Sequence, residues 1–135
     1  MKFLSILILF VSFSYAASAA SFNDVLAAAE FGDPQAQTIV GIAYHFGEYG
    51  GTNEKVGINP QKTIHWLTAA TNNEHCFAPW FLGGLYHEGN GIEKDEEQAA
   101  KYFLLAAQRG NIKAQRNIAA FYYYGMSVPQ NFDTA

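Results

Sequence analysis

A single cysteine, Cys76, in 135 residues excludes an intramolecular disulfide, so the fold must hold itself by packing. Alone, it reads as a small buried or half-buried hydrophobe, with a cross-link to a second chain as the other use of its thiol. Positive charge is scarce too. Eight Lys and Arg stand against twelve Asp and Glu, a net charge of −4, and an acidic chain has little to offer nucleic acid or an anionic membrane. Neither is expected as a partner.

Long apolar runs are confined to the first residues. The segment "MKFLSILILFVSFSYAASAA" has one cation (Lys2), an apolar stretch from Phe3 to Phe13 and small residues ending in Ala17-Ser18-Ala19. That is the layout of a secretory signal peptide cleaved near Ala19. The stretch is shorter than the ~20 residues a membrane-spanning helix needs, and no second one follows. The expected product is exported, periplasmic or secreted, with no membrane span after cleavage and a net charge of −5 once Lys2 is gone.

Catalytic groupings are also missing. Beyond the leader only Ser21 and Ser127 remain as serines, and no Ser-x-x-Lys or Ser/His/Asp arrangement occurs. His45 and His87 share a repeat position, but equivalent residues on neighbouring helices lie at least ~8–10 Å apart, too far to share a metal ion. His65 and His75 read as helix-surface or loop residues. Glu93, Asp95, Glu96 and Glu97 cluster where negative charge complements a helix N-terminus. No enzymatic activity, metal or cofactor is expected.

What the chain does have is a repeat. "TIHWLTAATNNEHCFAPWFLGGLYHEG" (63–89) aligns without a gap on "AAKYFLLAAQRGNIKAQRNIAAFYYYG" (99–125) at an offset of 36 residues. Trp66 meets Tyr102, Ala70 meets Ala106, Leu82 meets Ile118, Tyr86 meets Tyr122 and Gly89 meets Gly125. An earlier copy at an offset of 42 pairs Val40 with Leu82, Gly41 with Gly83 and Tyr44 with Tyr86. Its six extra residues fall in "GEYGGTNEKVGIN", whose composition reads as an enlarged loop.

Each unit has room for two helices. Helix A is expected at about 36–46, 78–88 and 114–124, and helix B at about 60–71 and 95–108, after a leading B-type helix at 21–30. Asn59 and Asp95 are good N-caps, Pro60 suits a first helical position, and Gly32 and Gly110 suit a left-handed helix end. Gly41 and Gly83, with Ala119 in the third copy, form a notch for a close neighbour at a cost of about 1 kcal/mol in helix propensity for a mid-helix glycine.

The pattern Ala78, Leu82, Gly83, Tyr86, Gly89, Gly91, Asp95, Ala99, Tyr102, Phe103, Ala106, Ala107 and Gly110 resembles the Sel-1-like repeat, a relative of the tetratricopeptide repeat. The resemblance covers about 21–135. It implies an all-α fold, an α/α solenoid of stacked antiparallel helix pairs: a leading helix at 21–30, repeat one at about 36–71 with a long loop at 47–59, repeat two at about 78–109, and a partial repeat three at 114–135. Glu74 stands where the family prefers Gly, and Thr63 where it prefers Ala. The third unit stops at "NFDTA", within the first turn of its B helix. No capping helix follows, which reads as a truncated product, a partial sequence or a poorly ordered last helix.

In tetratricopeptide-like geometry the A helices line a concave groove that holds partner segments. The resemblance so implies a partner-binding groove of Thr38, Trp80 and Arg116 at one level and His45, His87 and Tyr123 at another, with Phe46, Glu88 and Tyr124 beside them. Packing of Trp80 and the tyrosines in the core is the competing reading. The expected function is protein–protein interaction without catalysis, the partner a protein or peptide. Two alternatives stand beside it. Exported Cys-rich relatives are linked to β-lactam binding or hydrolysis, but they carry a disulfide in every repeat. The other is a structural fragment of a larger array, self-associating through its uncapped C-terminal end.

Overall fold

The computed structural model describes residues 20–125. Among these residues six helices follow one another: α1 (Phe22–Glu30), α2 (Pro34–Phe46), α3 (Pro60–Asn72), α4 (Ala78–Glu88), α5 (Glu96–Gln108) and α6 (Ile112–Tyr123). The described residues contain no strand beyond a single bridge between Glu48 and Lys55. Each helix packs mainly on its sequence neighbours, most closely within the pairs α2–α3 and α4–α5. The architecture is an all-α helical-repeat solenoid.

Capping explains where the helices begin. Ser21 and Asp24 form a reciprocal capping box on α1, and Asp33, Asn59, Asp95 and Asn111 each accept a backbone N–H from the first turn of α2, α3, α5 and α6. Such bonds satisfy donors that a helix start otherwise leaves orphaned. Helices α2 and α6 start two residues before the expected 36 and 114, because Asp33 and Asn111 are themselves the caps. The corresponding position before α4 is His75, whose Nδ1 accepts from the Ala78 N–H at 3.3 Å.

The alanines and glycines of the repeat are explained by contact distance. Ala70, Ala78, Ala99, Ala100, Ala106 and Ala114 have no exposed surface, so at each of them a larger side chain would push neighbouring helices apart. A Cβ added at Gly41 would lie 2.8 Å from Leu67 Cγ on α3, and one at Gly83 would lie 2.6 Å from Phe103 Cδ1 on α5. The notch thus receives the B helix of its own repeat. Leu67 is fully buried and Phe103 nearly so; burying such side chains contributes about 1.5–3 kcal/mol each. Ala119, the third notch residue, is exposed on α6.

Glu74 has φ +66°, the only positive φ at a non-glycine among the described residues, where Gly32 and Gly110 have +93° and +89°. The chain makes the same left-handed turn there with a glutamate. Cys76 corrects an expectation: it is exposed, not buried. Its neighbour His75 turns inward instead, while the Cys76 carbonyl accepts from Asn111 Nδ2 at 3.4 Å.

The enlarged loop folds back onto α1. Tyr49 N–H donates to the Glu54 carbonyl and Val56 N–H to that of Gly47, closing a small hairpin. Tyr49 is buried with its ring 5.9 Å from Phe22, and Glu54 Oε2 accepts the Phe22 N–H at 3.1 Å. Beyond the loop the register resumes unchanged. Asn59 N–H donates to the Tyr44 carbonyl as Asp95 N–H does to that of Tyr86.

Candidate functional site

The expected groove residues divide into four groups. Thr38 is buried, 4 % exposed, and its hydroxyl lies 2.9 Å from both the Pro34 carbonyl and His75 Nδ1. It offers no surface to a partner, which corrects its expected place in the groove. The repeat position is shared with Trp80 and Arg116, but only in the first copy does a short side chain fold back onto its own helix.

Trp80 is half-buried, between the core and surface alternatives weighed for it. Its ring is half-buried against the α6 side of the core, and its Nε1–H donates to Asn117 Oδ1 at 3.0 Å. Lys113 Nζ sits 4.8 Å from the ring centroid, within cation–π range. Arg116, one turn along α6, is exposed and has no hydrogen bond or ion pair with any described residue.

His45 and Phe46 join an aromatic run between repeats. The His45 ring lies 4.8 Å from Phe46 and 5.5 Å from Phe81, both edge-on, and Phe46 approaches Phe81 at 6.5 Å. Phe77 continues the run, 6.3 Å from Phe81 and 5.0 Å from Trp80. These spacings suit edge and offset ring packing. Phe46 is 61 % exposed. Burial pushes the His45 imidazole below its ordinary pKa, with the Glu88 carboxylate pulling the other way.

The fourth group makes no ring contact with that aromatic run. His87 Nδ1 is 2.9 Å from Glu96 Oε2, and Lys94 Nζ is 3.3 Å from the other oxygen of that carboxylate. Burial raises Glu96, but the bonds from His87 and Lys94 outweigh it and hold its carboxyl below the ordinary value. Tyr123 and Tyr124 end α6, 84 % and 73 % exposed, with their rings 5.1 Å apart. Glu88 is exposed at the end of α4.

Phe77, Phe81, Lys113 and Asn117 are missing from the sequence-based set. Repeat equivalence places residues at matching levels, whereas the ring contacts run along α4 and across to α2 and α6. The signal was available: Phe77 and Phe81 stand four apart, Phe77 and Trp80 three apart, the spacings that share a helix face.

Among the described residues no three His, Cys, Asp or Glu side chains come together to hold a metal ion. A cavity of about 130 Å³ between the repeats, lined by His45, Ile58, Ile64, Leu85 and Ile92, is well below the ~300–1,000 Å³ of pockets for organic ligands. No described helix is long and apolar enough to cross a membrane.

The Sel1 repeat matches three stretches, 34–75, 78–111 and 112–135. The chain is 32% identical over 83 residues, 62% of its length, to the ERAD-associated E3 ubiquitin-protein ligase component HRD3B of Arabidopsis thaliana, of which it spans 13%. Its fold is similar to a protective antigen of uropathogenic Escherichia coli strains displaying an SLR fold, at a TM-score of 0.71 and 26% identity, covering 81% of this chain and 22% of that one. It is also similar to a Sel1 repeat protein from Oxalobacter formigenes, at a TM-score of 0.69 and 29% identity, covering 79% and 41%. Sel1 repeat proteins are typically scaffolds that bind protein partners, and generally non-catalytic adaptors. With most of its length matched by three successive repeats, this chain belongs to the Sel1 repeat family.

Proposed function

We propose that this chain holds a segment of a partner protein against the exposed side of its A helices, α2, α4 and α6, as an adaptor and without catalysis. The observation that carries the reading is the aromatic run from Phe46 through Phe81 and Phe77 to Trp80. Exposed and half-buried rings in a row provide large apolar area at low entropic cost, as interface hot spots do. Of the groove residues expected from the repeat, His45, Phe46, Trp80 and Arg116 enter this surface. His87, Glu88, Tyr123 and Tyr124 flank it.

The test is selection of displayed random peptides on the folded chain, followed by affinity measurement on variants. Phe46→Ala is expected to weaken the selected peptides at least about ten-fold, as loss of a hot-spot aromatic does, and to leave the melting temperature nearly unchanged, since the ring is largely exposed. Equal binding by wild type and Phe46→Ala would overturn the reading.

Export belongs to the same proposal. Residues 1–19 lie outside the described residues, and the support is their sequence alone: one cation, an apolar stretch and a small-residue cleavage site. Processed protein from the native compartment is expected to have Ala20 at its N-terminus. A product retaining Met1 would contradict this.

A further inference from the structure

Charge is distributed unevenly along the solenoid. Residues 20–54 contain Asp24, Glu30, Asp33, Glu48 and Glu54 and no Lys or Arg, whereas residues 98–125 contain Lys101, Arg109, Lys113 and Arg116 and no Asp or Glu. The described part of an acidic chain thus closes on a basic stretch.

Two of those four cations are already engaged. Lys101 Nζ is 3.2 Å from Glu97 Oε1. Arg109 Nη1 donates to the carbonyls of Thr71 at 2.8 Å and His75 at 3.1 Å, tying the end of α5 to that of α3. The remaining two, Lys113 and Arg116, stand three apart on α6 and so share one face. Among the described residues, Lys113 lies over the Trp80 ring with no carboxylate partner, and Arg116 has no polar partner. They therefore border the aromatic run at its Trp80 end. Unneutralised cations beside exposed rings make an electrostatically one-sided surface, and such a surface selects its partner by charge.

We propose that the partner segment is acidic: an extended or helical protein segment whose aromatic or aliphatic side chains lie on the Phe46–Trp80 run while its Asp or Glu side chains meet Lys113 and Arg116. This rests on the holding function proposed above and adds the chemistry of what is held. The complementary charge speeds encounter and fixes register, since a segment docked in reverse would bring its carboxylates toward the acidic front of the solenoid.

The experiment uses the full chain and three fluorescein-labelled peptides of about twelve residues, a length that spans adjacent helices. All have the same aromatic residues and differ only in carrying Glu, Gln or Lys at the charged positions. Fluorescence anisotropy at ~0.05 M and ~0.5 M salt reads the affinities. The Glu peptide is expected to bind about ten-fold tighter than the Gln peptide at low salt, with the gap closing at high salt. Lys113→Glu combined with Arg116→Glu is expected to reverse the order, so that the Lys peptide binds best. Both substitutions lie on exposed positions of α6, and an unchanged circular dichroism melting curve checks that the variant folds. Equal affinities for the three peptides, or an order the double variant leaves unchanged, would overturn the acidic partner. If Phe46→Ala nonetheless weakened all three, the holding surface would stand without its charge selectivity. Peptides that bind no form of the chain would overturn both.

Discussion

The first and second repeats share one frame and differ at their joints. In both, a mid-helix glycine on the A helix receives a large apolar residue of the B helix, Leu67 on Gly41 and Phe103 on Gly83. In both, the cap of the B helix donates its N–H to the carbonyl of the repeat tyrosine, Tyr44 or Tyr86. The joints differ in what enters and leaves that frame. The first repeat has Asp33 at its A-helix cap and a hairpin loop folded onto α1, and the second has His75 as cap acceptor, reached through a left-handed Glu74, followed by a short connection. Backbone-to-backbone closeness is what the repeat must keep. Caps and loops can vary because other groups supply the same hydrogen bonds.

The notch gives the largest effect. Gly83 and Gly84 are adjacent on α4, yet a Cβ at Gly83 would meet Phe103 at 2.6 Å, whereas one at Gly84 would meet nothing within 4 Å. Gly83→Ala is expected to destabilise by about 1–3 kcal/mol through overpacking. Gly84→Ala is expected to stabilise by about 1 kcal/mol through helix propensity. Urea denaturation midpoints moving in the same direction for both would break the account of the shared frame.

Glu74 sharpens the difference at the joint. An L-residue in the left-handed region costs about 1–2 kcal/mol that glycine does not incur. Glu74→Gly should therefore recover up to about 1 kcal/mol, less what the freer unfolded chain takes back. The same substitution made in an exposed helical stretch would destabilise. A thermal melt showing lower stability for Glu74→Gly would mean that the glutamate has a compensating role at that turn.

The smallest effect at neutral pH, and the one that separates the two joints most selectively, is protonation of His75. Its Nδ1 accepts from Ala78 N–H and faces Thr38 Oγ1, an arrangement only the neutral ring can keep. Burial lowers its pKa from the ordinary 6.5, opposed by Asp33 and reinforced by Arg109. With the folded pKa depressed, the unfolded chain takes up the proton first. Stability is then fully present above about pH 6.5 and is lost as pH falls through the folded value. His45, also lowered by burial, contributes with the same sign. His75→Asn puts in place the cap used before α6 and should flatten, though not abolish, the fall in melting temperature between neutral and mildly acid pH. An identical fall in wild type and variant would remove His75 from the account.

How much was legible in the sequence follows the same division. The notch, the caps at Asn59 and Asp95 and the helix spans were readable, because small residues, cap residues and glycines punctuate the chain at fixed intervals and local physics dictates their use. The role of His75 was not, since its position reads as a cap only once Ala78 is seen to donate to it. Thr38 was misplaced for a related reason: repeat equivalence predicts where a side chain starts, not whether it is short enough to fold back onto its own helix. The aromatic surface was half legible. His45, Phe46 and Trp80 were found by register, whereas Phe77 and Phe81 join them through contacts between helices, a property of the packing.

The central claim, that the A-helix surface of this Sel1 repeat chain holds a protein segment, is tested most directly by nuclear magnetic resonance. The glutamate-bearing peptide would be titrated into ¹⁵N-labelled chain and the amide shifts mapped. The account predicts that the largest shifts fall at Phe46, from Phe77 to Phe81, and at Lys113 and Arg116, with α3 and α5 little affected. Shifts concentrated on α3 and α5 would place the binding surface on the B helices and contradict it.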